Sequence, residues 1–89
     1  MERRDKLKII HDMLVAMQDK GGKIKPTHLL YKSNLSHSKM QLYLEELFGK
    51  GLVKEEHKDT NKFYVITQEG IKFLENYRKI KEFTDSFGF

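Results

Sequence analysis

The chain of 89 residues contains no cysteine. Disulfides, thiolate metal sites and cysteine nucleophiles are therefore excluded, and the composition fits an intracellular protein. Proline occurs once, and apolar residues recur regularly, which argues against a disordered segment. No uninterrupted apolar run approaches the roughly 20 residues that a membrane-spanning helix needs. The basic start, Met1-Glu2-Arg3-Arg4-Asp5-Lys6, leads into no apolar stretch ending in small residues, so no signal peptide is expected. Catalytic signatures are missing as well. His11, His28, His37 and His57 have no spacing for a shared metal, and neither a dinucleotide fingerprint, a phosphate loop nor a nucleophile elbow occurs. No catalytic residue, metal site or cofactor is expected, and the chain does not read as an enzyme.

Charge is abundant and unevenly placed. Seventeen Lys and Arg against thirteen Asp and Glu give a net charge of +4. Residues 1–40 hold nine bases and four acids, whereas residues 41–89 hold eight bases and nine acids. A basic excess on one part of a small domain suggests a polyanionic partner.

Periodicity divides the chain into short elements. From about Arg3 to Asp19, Leu7, Ile10, Leu14 and Met17 recur at helical spacing, and Gly21-Gly22 ends the helix. Lys23-Ile24-Lys25 has room for one extended rung. Pro26 opens a two-turn helix from Thr27 to about Lys32, and Ser33-Asn34 has turn chemistry. Ser36 is suited to cap a third helix with Met40, Tyr43, Leu44 and Leu47 on its apolar side, ended by Gly49 and Gly51. Leu52–Glu56 and Lys62–Ile66 then read as strands joined by a polar loop over His57–Asn61. Thr67 caps a last helix reaching into the 80s. This order predicts a mostly helical α+β fold. It is a winged helix-turn-helix of three helices and a two-stranded wing hairpin over residues 1–67, with a C-terminal helix over 68–89 in the same compact unit.

The run Asn34-Leu35-Ser36-His37-Ser38-Lys39-Met40-Gln41-Leu42-Tyr43-Leu44-Glu45-Glu46-Leu47, continuing into Gly51-Leu52-Val53, resembles small archaeal winged-helix DNA-binding proteins. Phe63-Tyr64-Val65-Ile66-Thr67-Gln68-Glu69-Gly70 is similar to that family's second wing strand and the start of its last helix. The resemblance runs roughly from Lys6 to Tyr77. It implies a transcriptional regulator that binds double-stranded DNA, acts in the cytoplasm on the nucleoid, and dimerises through its last helix. Two positions depart from the family pattern. Histidine stands at position 37 where tyrosine is frequent, and the last helix stops early, with Phe83, Phe87 and Phe89 crowded at its end.

For DNA recognition, the third helix (about 36–48) would enter the major groove, with its start toward the bases. Ser36, Ser38, Lys39, Gln41 and Leu42 are the candidates there: Lys39 for guanine or phosphate, Gln41 for adenine, the serines for phosphates. Glu45 and Glu46 would repel phosphate. Thr27 and Lys32, together with Arg3, Arg4, Lys6, Lys8, Lys23 and Lys25, suit backbone positioning. On the wing (about 52–66), Lys58, Asn61 and Lys62 are the candidates. In the last helix, Phe73, Tyr77, Ile80, Thr84 and Phe87 are spaced four, three, four and three, a heptad pattern suited to a homodimer. Alternatively, Phe83, Phe87 and Phe89 fold back over that stripe. Two other roles compete with sequence-specific regulation: architectural DNA binding without sequence preference, and protein docking through the same fold.

Overall fold

Asp5 caps the first helix. In the computed structural model, which describes residues 4–88, its carboxylate accepts the Lys8 amide at 2.8 Å and caps helix α1 (Lys6–Asp19). The apolar surface of α1 is wider than the expected stripe, because the second helix, the sheet and the last helix all pack on it. Ile9, Ile10, Met13, Leu14, Ala16 and Met17 are buried. Leu7, placed on the stripe by periodicity, is instead 54% exposed, since it lies in the first turn, ahead of the buried part of α1. The helix closes where Gly21 turns left-handed (φ 80°), the Gly22 amide reaching back to the Met17 carbonyl at 2.9 Å.

Pro26 is the first residue of α2 (Pro26–Ser33), where the missing N–H costs nothing. Asn34, at φ 54°, makes the left-handed corner that ends α2. Ser33, fully buried beside that corner, donates its hydroxyl to the Leu29 carbonyl at 2.6 Å. Ser36 then caps α3 (His37–Gly49) by accepting the Lys39 amide. Gly51 (φ 71°) reverses the chain after α3, and the Leu52 amide bonds to the Leu47 carbonyl at 3.0 Å.

The wing is more extensive than a hairpin. Strands β2 (Val53–Lys58) and β3 (Asn61–Ile66) pair antiparallel, and the rung β1 (Lys23–Ile24) pairs with the far edge of β3, giving the order β1-β3-β2. Two residues of pairing (Lys23 with Val65, Ile24 with Tyr64) anchor the sheet to the end of α1. The reversing loop shrinks to Asp59-Thr60, because the strands remain paired out to Lys58 and Asn61. Asp59 takes the positive φ of 57° that so tight a turn requires.

Thr67 seats α4 (Gln68–Ser86) with two bonds: it accepts the Gly70 amide at 3.1 Å and donates to the Gly51 carbonyl at 2.7 Å. The core gathers Met13, Leu14 and Met17 from α1, Leu29 from α2, Met40, Leu44 and Leu47 from α3, and Tyr64 from β3, each at 2% exposure or less. Each such side chain contributes about 1.5–3 kcal/mol on leaving water. That burial holds α3 in place and leaves its opposite side free. Among the described residues, no helix is long and apolar enough to cross a membrane.

Candidate nucleic-acid interface

The capped start of α3 stands in solvent. Ser36, Ser38, Lys39 and Leu42 are all exposed, as expected of a face free to meet a ligand, whereas Gln41 is half-buried. The difference follows from helix geometry at about 100° per residue. Ser38, Leu42 and Glu45 lie opposite buried Met40, Leu44 and Leu47, while Lys39 and Gln41 fall on the two flanks. The Gln41 flank also carries Phe48, whose ring centre lies 5.9 Å from that of Tyr64 on the wing. The Lys39 flank carries Glu46, whose carboxylate meets the Lys6 ammonium of α1 at 2.6 Å. Glu46 is thus half-buried and neutralised, and Glu45 remains exposed.

Several bases of the first forty residues are engaged within the fold. Arg4 donates to the Asp12 carboxylate at 2.9 Å and to the Ser33 carbonyl at 2.8 Å, tying the start of α1 to the end of α2. Lys8 also meets Asp12, at 3.1 Å, and Lys23 reaches Glu56 across the sheet at 3.4 Å. Burial raises the Asp12 pKa, but bonds from Arg4, His11 and Lys8 together outweigh it and leave the group below its ordinary value. Arg4, Lys6, Lys8 and Lys23 thus each stand within ion-pair distance of an acid of the same chain, which a count of bases along the sequence does not show. Arg3 lies outside the described residues.

The bases without an acidic partner among the described residues include Lys20, Lys25 and Lys32 around α2, Lys39 on α3, and Lys58 and Lys62 on the wing. His28, on α2, registers this crowding: desolvation and then the charges of Lys20 and Lys32 hold its pKa below the ordinary value. Thr27 and Lys32 are exposed on α2 as expected. Tyr31, which the sequence reading passed over, is 78% exposed on the side of α2 opposite Leu29 and Ser33. Its phenol can donate to a phosphate oxygen. The signal lay in its position two residues after buried Leu29, half a turn around the helix.

The wing candidates do not form one cluster. Strand alternation puts Lys62 on the sheet face shared with buried Tyr64 and Ile66, its ammonium 5.6 Å from the Tyr64 ring centre. Lys58 and Asn61, a directly opposed pair, lie at the tip on the other face. Among the described residues no group of three or more His, Asp or Glu side chains is arranged to hold a metal.

The last helix is partly covered by its own chain. Phe73 packs against the core and the Tyr77 ring stacks on His11 of α1 at 4.5 Å. Thr84 is half-buried, its hydroxyl donating to the Lys81 carbonyl at 3.0 Å. Ile80, Phe83 and Phe87 stay in solvent, with Phe83 and Phe87 in ring contact at 4.8 Å. The five heptad positions are thus divided between an intrachain contact and an exposed patch. Phe89 lies outside the described residues.

Residues 3–85 match the winged helix-turn-helix family, and the chain belongs to it. No curated protein sequence is significantly similar to it. Among solved structures, Sso10a-2, a DNA-binding protein from Sulfolobus solfataricus, superposes with a TM-score of 0.76 at 25% identity, over 96% of this chain and 90% of that one. A winged-helix DNA-binding protein from STIV gives 0.71 at 14% identity, over 90% of this chain and 92% of its own. MepR, a transcription regulator of the Staphylococcus aureus multidrug efflux pump MepA, gives 0.75 at 16% identity, but this chain spans only 60% of it.

Proposed function

We propose that this protein binds double-stranded DNA as a transcriptional regulator, with α3 in the major groove and the wing against the flanking groove or backbone. The observation that carries the reading is the exposed, capped start of α3, with Lys39 on it and no acid of the described residues paired with Lys39, with Lys32 of α2 or with Lys58 and Lys62 of the wing. The amides of that first turn and the helix dipole favour an anion, and Lys25, Lys32, Lys58 and Lys62 elsewhere on the domain suit phosphates. Ser36, Ser38, Thr27, Tyr31 and Asn61 supply exposed neutral hydrogen-bonding groups on α3, α2 and the wing tip. The DNA-binding description of Sso10a-2 supports this assignment.

Fluorescence anisotropy with a labelled duplex across a salt series tests it. Each neutralised phosphate contributes about 0.9 to the slope of log affinity against log salt, so four or five contacts give a slope of about −4. Absence of binding at low salt overturns the proposal and favours protein docking through the same fold.

The segment 68–89 fits a dimerisation element. Ile80, Phe83 and Phe87 are exposed at 66%, 63% and 64%, and a second copy's helix would cover them. A twofold pair would present two α3 helices to one side of a duplex. Sedimentation at micromolar concentration should find a dimer that becomes a monomer in an Ile80→Ser/Phe87→Ser variant. A monomeric parent protein refutes the dimer and leaves DNA binding to be judged on its own titration.

A further inference from the structure

Ser38, Leu42 and Glu45, stepping by four and three residues, make the row of α3 that points directly away from the core. The neighbouring elements define what lies on either side. Lys39 shares a flank with Glu46, which Lys6 of α1 holds, and Gln41 shares the other with Phe48, which meets Tyr64 of the wing. A helix lying in a groove about 12 Å wide turns its central row to the base edges and its flanks to the two backbones. Lys39, on a flank and charged, is then placed for phosphate. The central row must do the reading.

Two members of that row have chemistry that phosphate does not explain. Leu42 is 64% exposed, a wholly apolar side chain amid polar neighbours. The apolar group on a major-groove edge is the thymine methyl. Glu45 is exposed, and no cation among the described residues pairs with it, in contrast to Glu46. A carboxylate on a flank would face phosphate, but on the central row it faces bases, where it requires a donor. Cytosine N4 is such a donor, with an acceptor, guanine O6, on one side only and the ring C5–H on the other. The adenine amine lies between two acceptors, its own N7 and thymine O4, which repel a carboxylate.

We infer that Leu42 and Glu45 determine sequence preference, Leu42 packing on a thymine methyl and Glu45 accepting a hydrogen bond from a cytosine amine. This rests on the DNA-binding reading above. Three residues of helix rise about 4.5 Å, against about 3.4 Å per base step, so the two bases fall on adjacent or next-but-one base pairs.

Selection with the 89-residue chain on a randomised duplex pool, followed by anisotropy on the selected duplex, tests this. The selected duplexes should carry a thymine and a cytosine one or two steps apart. Glu45→Ala should lose at least about fivefold in preference for the cytosine while leaving the thymine preference intact. Replacing the thymine by deoxyuridine, which lacks only the methyl, should weaken the parent protein by a similar factor and leave Leu42→Ala unaffected. Uniformly tighter binding of Glu45→Ala to all duplexes overturns the assignment of Glu45, since it shows the carboxylate facing phosphate. Equal losses from deoxyuridine in the parent protein and Leu42→Ala overturn the assignment of Leu42. Binding without any base preference overturns both and leaves DNA binding standing. No binding to any duplex refutes the underlying reading itself.

Discussion

Replacing Gly70 by alanine should destabilise the protein, although alanine is the better helix former. Gly70 is the third residue of α4 and is buried. A Cβ there would stand 2.6 Å from Ile66 Cγ1 and press into the Leu52 carbonyl oxygen. Neither neighbour can withdraw easily. The Leu52 carbonyl accepts the Thr67 amide at 3.1 Å, and Cγ1 is the inner branch of a side chain that is only 8% exposed. The start of α4 would have to shift, straining the Thr67 hydroxyl bond to the Gly51 carbonyl. Overpacking of this kind costs about 1–3 kcal/mol and a weakened hydrogen bond about 1 kcal/mol, against a gain of about 1 kcal/mol in helix propensity. The net loss is about 1–3 kcal/mol, or a fall in Tm of roughly 5–15 °C for a domain of this size. Gly49→Ala is the control: it lies at the end of α3 with nothing within 4 Å of the added carbon, so it should be neutral or stabilising by up to about 1 kcal/mol. Urea denaturation followed by circular dichroism measures both. If Gly70→Ala matches the parent, or both variants shift alike, the close seating of α4 on the Gly51–Leu52 bend is refuted.

Acid should weaken the junction between α1 and α2. The Asp12 pKa is depressed in the folded state, so its contribution is complete above the ordinary carboxylate value and is lost as pH falls through the folded pKa. Asp12→Asn should lower stability by about 1–2 kcal/mol at neutral pH, and the gap to the parent should begin to narrow only as pH falls below about 4 in denaturant titrations. At Asn34, φ 54° suits glycine or asparagine, so Asn34→Ala should cost about 1 kcal/mol by urea midpoint while Asn34→Gly stays near the parent. Lys58→Ala should weaken binding to all duplexes alike and reduce the salt slope by about 0.9. An unchanged slope would remove the wing tip from the interface.

Much of the architecture is legible from local chemistry. Asn34, Ser36 and Thr67 act through their own backbone and the next turn, so their roles as corner and caps can be read without knowing the fold. Pro26 and the glycines after α1 and α3 are similarly local. The apolar steps at Met40, Leu44 and Leu47 set which side of α3 turns inward, and the outward side follows from the same arithmetic.

What the sequence by itself determined was therefore the order of elements and the inward side of α3, because these depend on contacts within a turn or two. The tertiary structure decided the rest. Lys23-Ile24 became a third strand only because β3 runs beside it, and Phe73 and Tyr77 were drawn from the exposed stripe by the core and His11. Lys6, Lys8 and Lys23 meet acids, two of which lie more than thirty residues away. Glu45 and Glu46 are adjacent in sequence and alike in charge, but only Glu46 comes within reach of Lys6. Pairing across such distances depends on where the packed core brings the backbones together, and no local spacing encodes that.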